Sequence, residues 1–204
     1  MQFIEITGQP CSGKSTFLRE NKDKYFDGFA VFSPALVTKL ISFICSLKLL
    51  GLSRVYVLFN WSMKEDVPFF FRCNIFVNAV SKFGIQKMSK IFRVASSSSC
   101  IVDEGISHLP FLFLNTDSNL VVNFISDELK NLNICLLRSP GTLVVLDRLK
   151  TRGHKRLRYT NANFFIEKNL NVENIILKTY PDLCSNLRIF WSVEHIFRFL
   201  WWTA

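Results

Sequence analysis

From residue 8 to residue 15 the chain reads Gly-Gln-Pro-Cys-Ser-Gly-Lys-Ser, which fits G-x-x-x-x-G-K-[ST] at every fixed position. Each fixed position suits the holding of phosphate. Gly8 and Gly13 permit backbone turns that a Cβ obstructs, so successive N–H groups can point inward at phosphate oxygens. A helix beginning behind them aims its unpaired N–H groups and its dipole at the same anion. In a loop of this kind Lys14 reaches the β- and γ-phosphates and Ser15 ligates Mg²⁺. Gln9, Pro10, Cys11, Ser12 and Thr16 complete the expected nucleotide-binding run. Cys11 stands at a free position and reads as a tolerated small residue; the alternative is a thiol that the surrounding amides make modifiable. The pattern needs a strand before it and a helix after it. Met1 to Thr7 alternates as a strand does, and Ser15-Thr16-Phe17-Leu18-Arg19-Glu20 reads as helix.

Two further groups of residues carry chemistry. Ile101-Val102-Asp103-Glu104 is an apolar strand ending in two carboxylates, and in a parallel sheet the carboxyl ends of strands face the ligand crevice. Asp103 can hold the Mg²⁺ shell or act as base toward an acceptor hydroxyl. Glu104 can polarise a nucleophile or contact substrate. His108, just beyond, is expected as a surface or capping histidine, with a substrate contact as the alternative. The second group is basic: Arg148, Lys150, Arg152, Lys155, Arg156 and Arg158 fall within eleven residues that contain no acid. Arg148 and Arg152 are four apart and share a helical face. An arginine closing over a transferring phosphoryl group neutralises charge that develops on its oxygens. Gly153 is expected to end the helix, with more positive charge in the loop that follows, so that 148–160 makes up a lid-like basic segment.

The elements that must position these groups alternate. Strands are expected at Gly28–Phe32, Cys100–Val102, Asn133–Arg138 and Leu187–Trp191, besides the first. The stretch from Ala35 to about Ala95 reads as largely helical, with Pro68 in a first turn and Gly84 as a break. Its first part, Ala35 to Leu50, carries Lys39 and Lys48, is short for a bilayer span, and reads as a buried amphipathic helix. Asp117 or Ser118 caps a helix to about Leu129. Ser139-Pro140 opens another to Arg152, and Asn161 to Tyr180 has helical spacing. Ser192 caps a terminal helix, with Glu194 near its positive end. Strands alternating with helices imply an α/β fold whose mostly parallel sheet is covered on both faces.

Composition narrows the class. The chain has 204 residues, suiting one domain over 1–204, and six cysteines with no CxxC pair, which argues against a zinc site or a disulfide scaffold. Reduced thiols and an N-terminus without signal-peptide character fit a cytoplasmic location. The net charge of +9 invites a nucleic-acid reading, but its clustering makes no strong case for one.

These motifs together resemble the P-loop nucleoside and nucleotide kinase superfamily, especially its thymidylate-kinase-like and deoxynucleoside-kinase-like members. Leu136-Leu137-Arg138-Ser139-Pro140 leading to Arg148–Gly153 looks like the strand and helix that feed the family's lid. Trp191-Ser192-Val193-Glu194 looks like its last strand entering a closing helix. The resemblance implies a three-layer P-loop NTPase fold with a five-stranded parallel core and a helical insertion. It also implies Mg-ATP as donor, Lys14 and Ser15 as phosphate and Mg²⁺ ligands, and Arg148, Arg152 and Arg156 as lid residues. One departure stands out. Many members follow the third strand with an acid and then arginine, whereas this chain has Asp103-Glu104-Gly105, so the acceptor signature is missing.

The leading expectation is an ATP-dependent kinase whose acceptor is a nucleoside, nucleotide, sugar or similar metabolite, held under the helices of 35–95. A motor- or switch-type ATPase is the second reading, since Asp103-Glu104 also suits hydrolytic P-loop machines. A basic protein binding nucleic acid or a membrane is the third. It draws on the net charge and on the aromatic end Phe197 to Trp202, a contact for a partner or a membrane surface. Homodimerisation is left open.

Overall fold

The computed structural model describes residues 3–25, 27, 29–32, 36–96, 99–152 and 155–190. Five strands form one sheet: β1 (Phe3–Thr7), β2 (Phe29–Phe32), β3 (Ser99–Asp103), β4 (Asn133–Leu137) and β5 (Asn186–Phe190). Their order is β2-β3-β1-β4-β5 and every pairing is parallel. β1 therefore lies in the middle, and all five of its residues are buried. Because side chains alternate across a strand, Ile4 and Ile6 face one way and Phe3, Glu5 and Thr7 the other.

Helices cover both faces. On one, Phe17 and Leu18 of α1 (Lys14–Tyr25) pack on Ile4, Ile6, Ile101, Cys135 and Leu137. On the other lie α2 (Leu36–Met63), α3 (Phe69–Ser96), a 3₁₀ turn (Ile106–Phe111), α4 (Ser118–Phe124), α5 (Ser126–Leu129) and the later helix α7 (Ala162–Leu183), sharing the main core with Phe3, Val102, Ile134 and Leu136. Between β4 and α7 the chain forms α6 (Thr142–Arg152) and a second 3₁₀ turn (Lys155–Arg158). Val145 and Leu149 of α6 pack with Leu114, Phe165 and Ile166 in a third cluster that Cys11 borders. This is the expected three-layer α/β arrangement, with α2 and α3 as the helical insertion.

Caps follow local chemistry. The Asp117 carboxylate accepts from the Asn119 N–H at 2.9 Å, and the Asn161 side chain accepts from the Asn163 N–H at 2.8 Å. Four expectations need correction. α3 runs through Gly84 unbroken, and the glycine serves close packing: a Cβ there lies 2.2 Å from the Ser42 carbonyl oxygen. Pro68 precedes α3 rather than sitting in its first turn. α6 begins at Thr142, not at Pro140, because Gly141 adopts φ 109 and interrupts the helical path. The stretch to Leu50 is not a buried helix. It is the first half of α2, and Leu40, Ile41, Ile44, Leu47 and Leu49 are exposed. Gly28, Ala35, Gly153, Trp191, Ser192, Glu194 and the aromatic end fall outside the described residues.

Candidate functional site

The sheet order creates the site. β1 leaves for the edge strand β2 and the chain returns through β3, so β1 lies at the switch point where the loops after β1 and β3 meet. Ile6 pairs with Asp103, and the Glu104 N–H donates to the Ile6 carbonyl at 3.0 Å. The expected phosphate loop and the expected acidic strand end are thereby neighbours.

The loop has the backbone its glycines require. Gly8 has φ 149 and Gly13 φ 97, and a Cβ on Gly8 falls 2.4 Å from the Leu137 carbonyl oxygen. Cys11 is in the left-handed region at φ 64, unusual without glycine, and borders the apolar cluster of α6. Lys14 is 7% exposed, and its ammonium donates to the Gly8 and Gln9 carbonyls at 3.0 and 3.1 Å. Glu104 Oε1 stands 3.1 Å from the same nitrogen. Ser15 is exposed and Thr16 half-buried at the start of α1. Ser12 Oγ and Gln9 Nε2 are buried with no hydrogen-bond partner among the described residues, so the loop holds donors in reserve for an anion.

The carboxylates occupy different environments. Asp103 Oδ1 is buried and unpartnered among the described residues. Burial and the neighbouring Glu104 charge raise the Asp103 pKa, against the pull of Lys14 and Lys82. Burial also works against Glu104, but His108, Lys14 and Lys82 outweigh it and hold this carboxyl well below the usual carboxylate range. Glu104 is itself in the left-handed region at φ 57, tied at its N–H to Ile6 and at its carbonyl to the Lys82 ammonium.

Two contributors, Lys82 and Glu5, escaped the sequence reading. Lys82, on α3, is buried at the strand end; burial lowers its pKa while Glu104, Glu5 and Asp103 resist that shift. Glu5, within β1, is fully buried, and its Oε2 accepts from the Ser107 N–H at 2.9 Å. Burial raises its pKa, opposed by hydrogen bonds from Ser107 and by the Lys82 charge. Gly105 is required here, since a Cβ meets the Glu5 carboxylate at 2.3 Å. His108, expected at the surface, is buried: it shares a 3.4 Å hydrogen bond with Thr7 and lies 3.7 Å from Glu104. A charged residue inside an apolar strand or helix was the available signal for Glu5 and Lys82, but only the β1–β3–α3 packing brings them together.

On the far side of the loop, Arg148 Nη1 donates to the Cys11 carbonyl at 3.3 Å and lies 3.5 Å from where a Gly13 Cβ stands. The expected lid arginine thus touches the phosphate loop. Arg152 ends α6 and Arg156 lies in the second 3₁₀ turn, with side chains outside the described residues. Glu173 of α7 anchors the start of this segment, pairing with Arg138 at 3.3 Å and accepting from the Ser139 N–H at 3.1 Å. A cavity of about 430 Å³ opens between the α2–α3 turn and the start of α7, lined in part by Asp66, Leu114, Asn115, Tyr159 and Phe164.

No protein-family model and no curated protein matches the chain. Among solved structures it is similar to deoxyadenosine kinase from M. mycoides with bound dATP, at TM-score 0.54 and 17% identity over 98% of this chain and 99% of that one. The same enzyme with products dCMP and a flexible dCDP bound gives TM-score 0.53 and 16% identity over 98% of each chain. The chain has the deoxynucleoside-kinase fold. Against that fold, the place where the resemblance leads one to expect an arginine holds Glu104, and the cations beside it are Lys14 and Lys82.

No group of three or more potential metal-ligating side chains exists among the described residues. A Mg²⁺ ion fits only as magnesium commonly binds, through one or two protein oxygens, waters and substrate phosphates. Ser15 and Asp103, whose Oδ1 has no partner among the described residues, match that requirement.

Proposed function

We propose that this chain is a P-loop kinase that phosphorylates a small acceptor, with a deoxynucleoside as the favoured class. The juxtaposition of Lys14, the Asp103–Glu104 pair and Arg148 around one phosphate loop carries this reading. The neighbouring fold, solved with dATP in one case and with dCMP and dCDP as products in another, supports the nucleoside class.

Bound Mg-ATP would supply the γ-phosphoryl group, with Ser15 and Asp103 as the residues that would hold the ion. Loop amides from Gly8 to Lys14 and the unpartnered Ser12 hydroxyl bind phosphate oxygens. Lys14 exchanges its own-loop carbonyls for phosphate, keeping positive charge where negative charge develops. Asp103 serves in one of two ways: on the ion, or, where waters and phosphates complete the ion's shell, as the base that takes the acceptor's hydroxyl proton, a role its raised proton affinity favours. Glu104, held ionised, fixes Lys14 in place. Arg148, with Arg152 and Arg156 following in the basic segment, neutralises the transferring group and helps to exclude water. The cavity beside Tyr159 and Asn115 has the volume of a small-molecule site, and we assign it to the acceptor under the helical insertion.

The test is an ATP-dependent phosphorylation screen over deoxynucleosides, nucleotides and sugars, read by mass spectrometry. Acceptor-dependent ADP together with a phosphorylated nucleoside is the expected result. Free phosphate released without any acceptor points instead to a hydrolytic ATPase. Lys14→Ala is expected to lower kcat/KM by about 10²–10³-fold while melting as a folded protein. Unchanged turnover in that variant removes the phosphate loop from the mechanism.

A further inference from the structure

α2 buries Leu50 and Leu58 but leaves much of its apolar surface outside. Ser42, Ser46 and Ser62 are fully buried, whereas Leu40, Ile44, Leu52 and Tyr56 are 61%, 60%, 90% and 65% exposed. A helix on a water-facing domain normally turns its apolar stripe inward and its polar stripe outward. Here the inner stripe runs Ser42, Ser46, Leu50, and it meets α3 at Gly84, where a Cβ lies 2.6 Å from Ser46 Oγ. Ser46 and Ser62 satisfy themselves locally, Ser46 donating to the Ser42 carbonyl at 2.7 Å and Ser62 to the Leu58 carbonyl at 2.8 Å, while Ser42 donates across to Met88 Sδ of α3 at 3.0 Å. Small residues at a close helix–helix contact, with bulky aliphatics facing away, is the packing logic of helices in contact with lipid.

Leu40–Met63 is long and apolar enough to cross a bilayer, yet two features show that it does not span one. Gly51, at φ 71 and ψ 165, breaks the helix near its middle. Arg54 is pinned inward, bonded to Glu128 at 2.5 and 3.1 Å and to the Phe124 carbonyl at 2.7 Å. The outer stripes on either side of the break, Leu40-Ile44-Leu47 and Leu52-Tyr56-Phe59, form an exposed apolar face on a helix whose other side is attached to the domain. At the tip of the α2–α3 hairpin Phe69 and Phe70 are exposed as well.

Charge identifies the occupant. From Leu36 to Ser96 there are nine Lys/Arg residues and two acids, Glu65 and Asp66. Lys82 is buried at the strand end and Arg54 is paired with Glu128, while Lys48, Lys64 and Lys87 are exposed against one exposed acid, Asp66, among the described residues of the hairpin. α2 itself contains no acid, and Lys48 is exposed within its apolar stripe. A second copy placed face to face would oppose Lys48 to the same cationic hairpin, whereas an anionic bilayer complements both the charge and the aliphatic face. We propose that the outer face of α2 docks this domain on the surface of an anionic lipid bilayer, lying in the interface rather than crossing it.

Flotation of the full chain with vesicles tests this directly, using phosphatidylcholine alone or with about one-third phosphatidylserine. Wild-type protein is expected to float with the anionic vesicles at least about tenfold more than with the neutral ones, and to release as salt approaches about 0.5 M. The variant Ile44→Glu/Leu52→Glu is expected to lose about tenfold in bound fraction while keeping its far-UV spectrum and cooperative melt; Lys48→Glu is expected to lose the preference for phosphatidylserine. Absence of wild-type binding to either vesicle overturns the proposal. So does binding that survives Ile44→Glu/Leu52→Glu, which places the contact elsewhere. A wild-type dimer that ignores vesicles and becomes monomeric in that variant assigns the face to a second copy and overturns it too. None of these outcomes depends on the kinase reading, because the substituted residues lie outside the nucleotide and acceptor sites.

Discussion

Arg148 and Glu5 show how far single side chains determine this site. Arg148 spans from α6 to the Cys11 carbonyl, so its guanidinium is already at the loop before any phosphate arrives. Arg148→Ala is expected to lower kcat by about 10²–10³-fold, with the KM for ATP changing far less. Steady-state kinetics that show the loss in KM alone would reassign the residue to ground-state binding. Glu5 makes a prediction in pH. Burial raises its pKa above 4.5, so the folded chain holds this proton more tightly than the unfolded chain does. Stability is therefore fullest below pH 4.5 for this group and falls as pH climbs toward the raised value. Glu5→Gln keeps an oxygen for the Ser107 N–H and removes the ionisation. Thermal melts between about pH 4 and about pH 8 should show the variant gaining on wild type as pH rises; parallel curves would dismiss the effect.

At the scale of elements, Gly84 is the most exacting position in the hairpin. Gly84→Ala places a methyl against the Ser42 carbonyl and Ser46 Oγ, forcing α2 and α3 apart. The expected cost is about 1–3 kcal/mol, lowering Tm by roughly 2–4 °C for each kcal/mol, as read by calorimetry. Gly84 also marks the limit of what the sequence made legible. The strands, the phosphate loop and the Asp117 cap were readable because their signals are local: alternation, glycine spacing and a cap residue beside its helix. A glycine inside a helical run has the same local signature whether it breaks the helix or admits a neighbour, and only the partner helix decides. The same holds for α2, whose leucines and serines are periodic in sequence, while the side that faces inward is set by α3. Lys82 with Glu5, and His108 with Thr7, are long-range pairs that no window along the chain contains. Ser139-Pro140 misled because Gly141 intervenes with a positive φ.

For the molecule as a whole, Arg54 is one of the polar ties between the helical insertion and the domain, beside Lys82 on the Glu104 carbonyl and Glu65 on the Asn115 N–H. Arg54 pairs with Glu128 of α5, bonds the Phe124 carbonyl, and lies over the rings of Phe83 and Phe124 at 5.3 and 4.5 Å. Arg54→Ala removes these links together and leaves Glu128 partly buried without its counter-charge. We expect a loss of about 2 kcal/mol, seen as a lower urea midpoint with an unchanged slope. A reduced slope would mean that the hairpin melts separately from the sheet. The placement of β1 has a consequence in time. It precedes both of its partners in the chain, which begin at Cys100 on one side and Asn133 on the other. Both pairings therefore close very long loops, and β1 has no sheet partner until the whole helical insertion has followed it. During translation β1 should be a preferred chaperone site, and it should gain full protease protection only once β4 has cleared the ribosome.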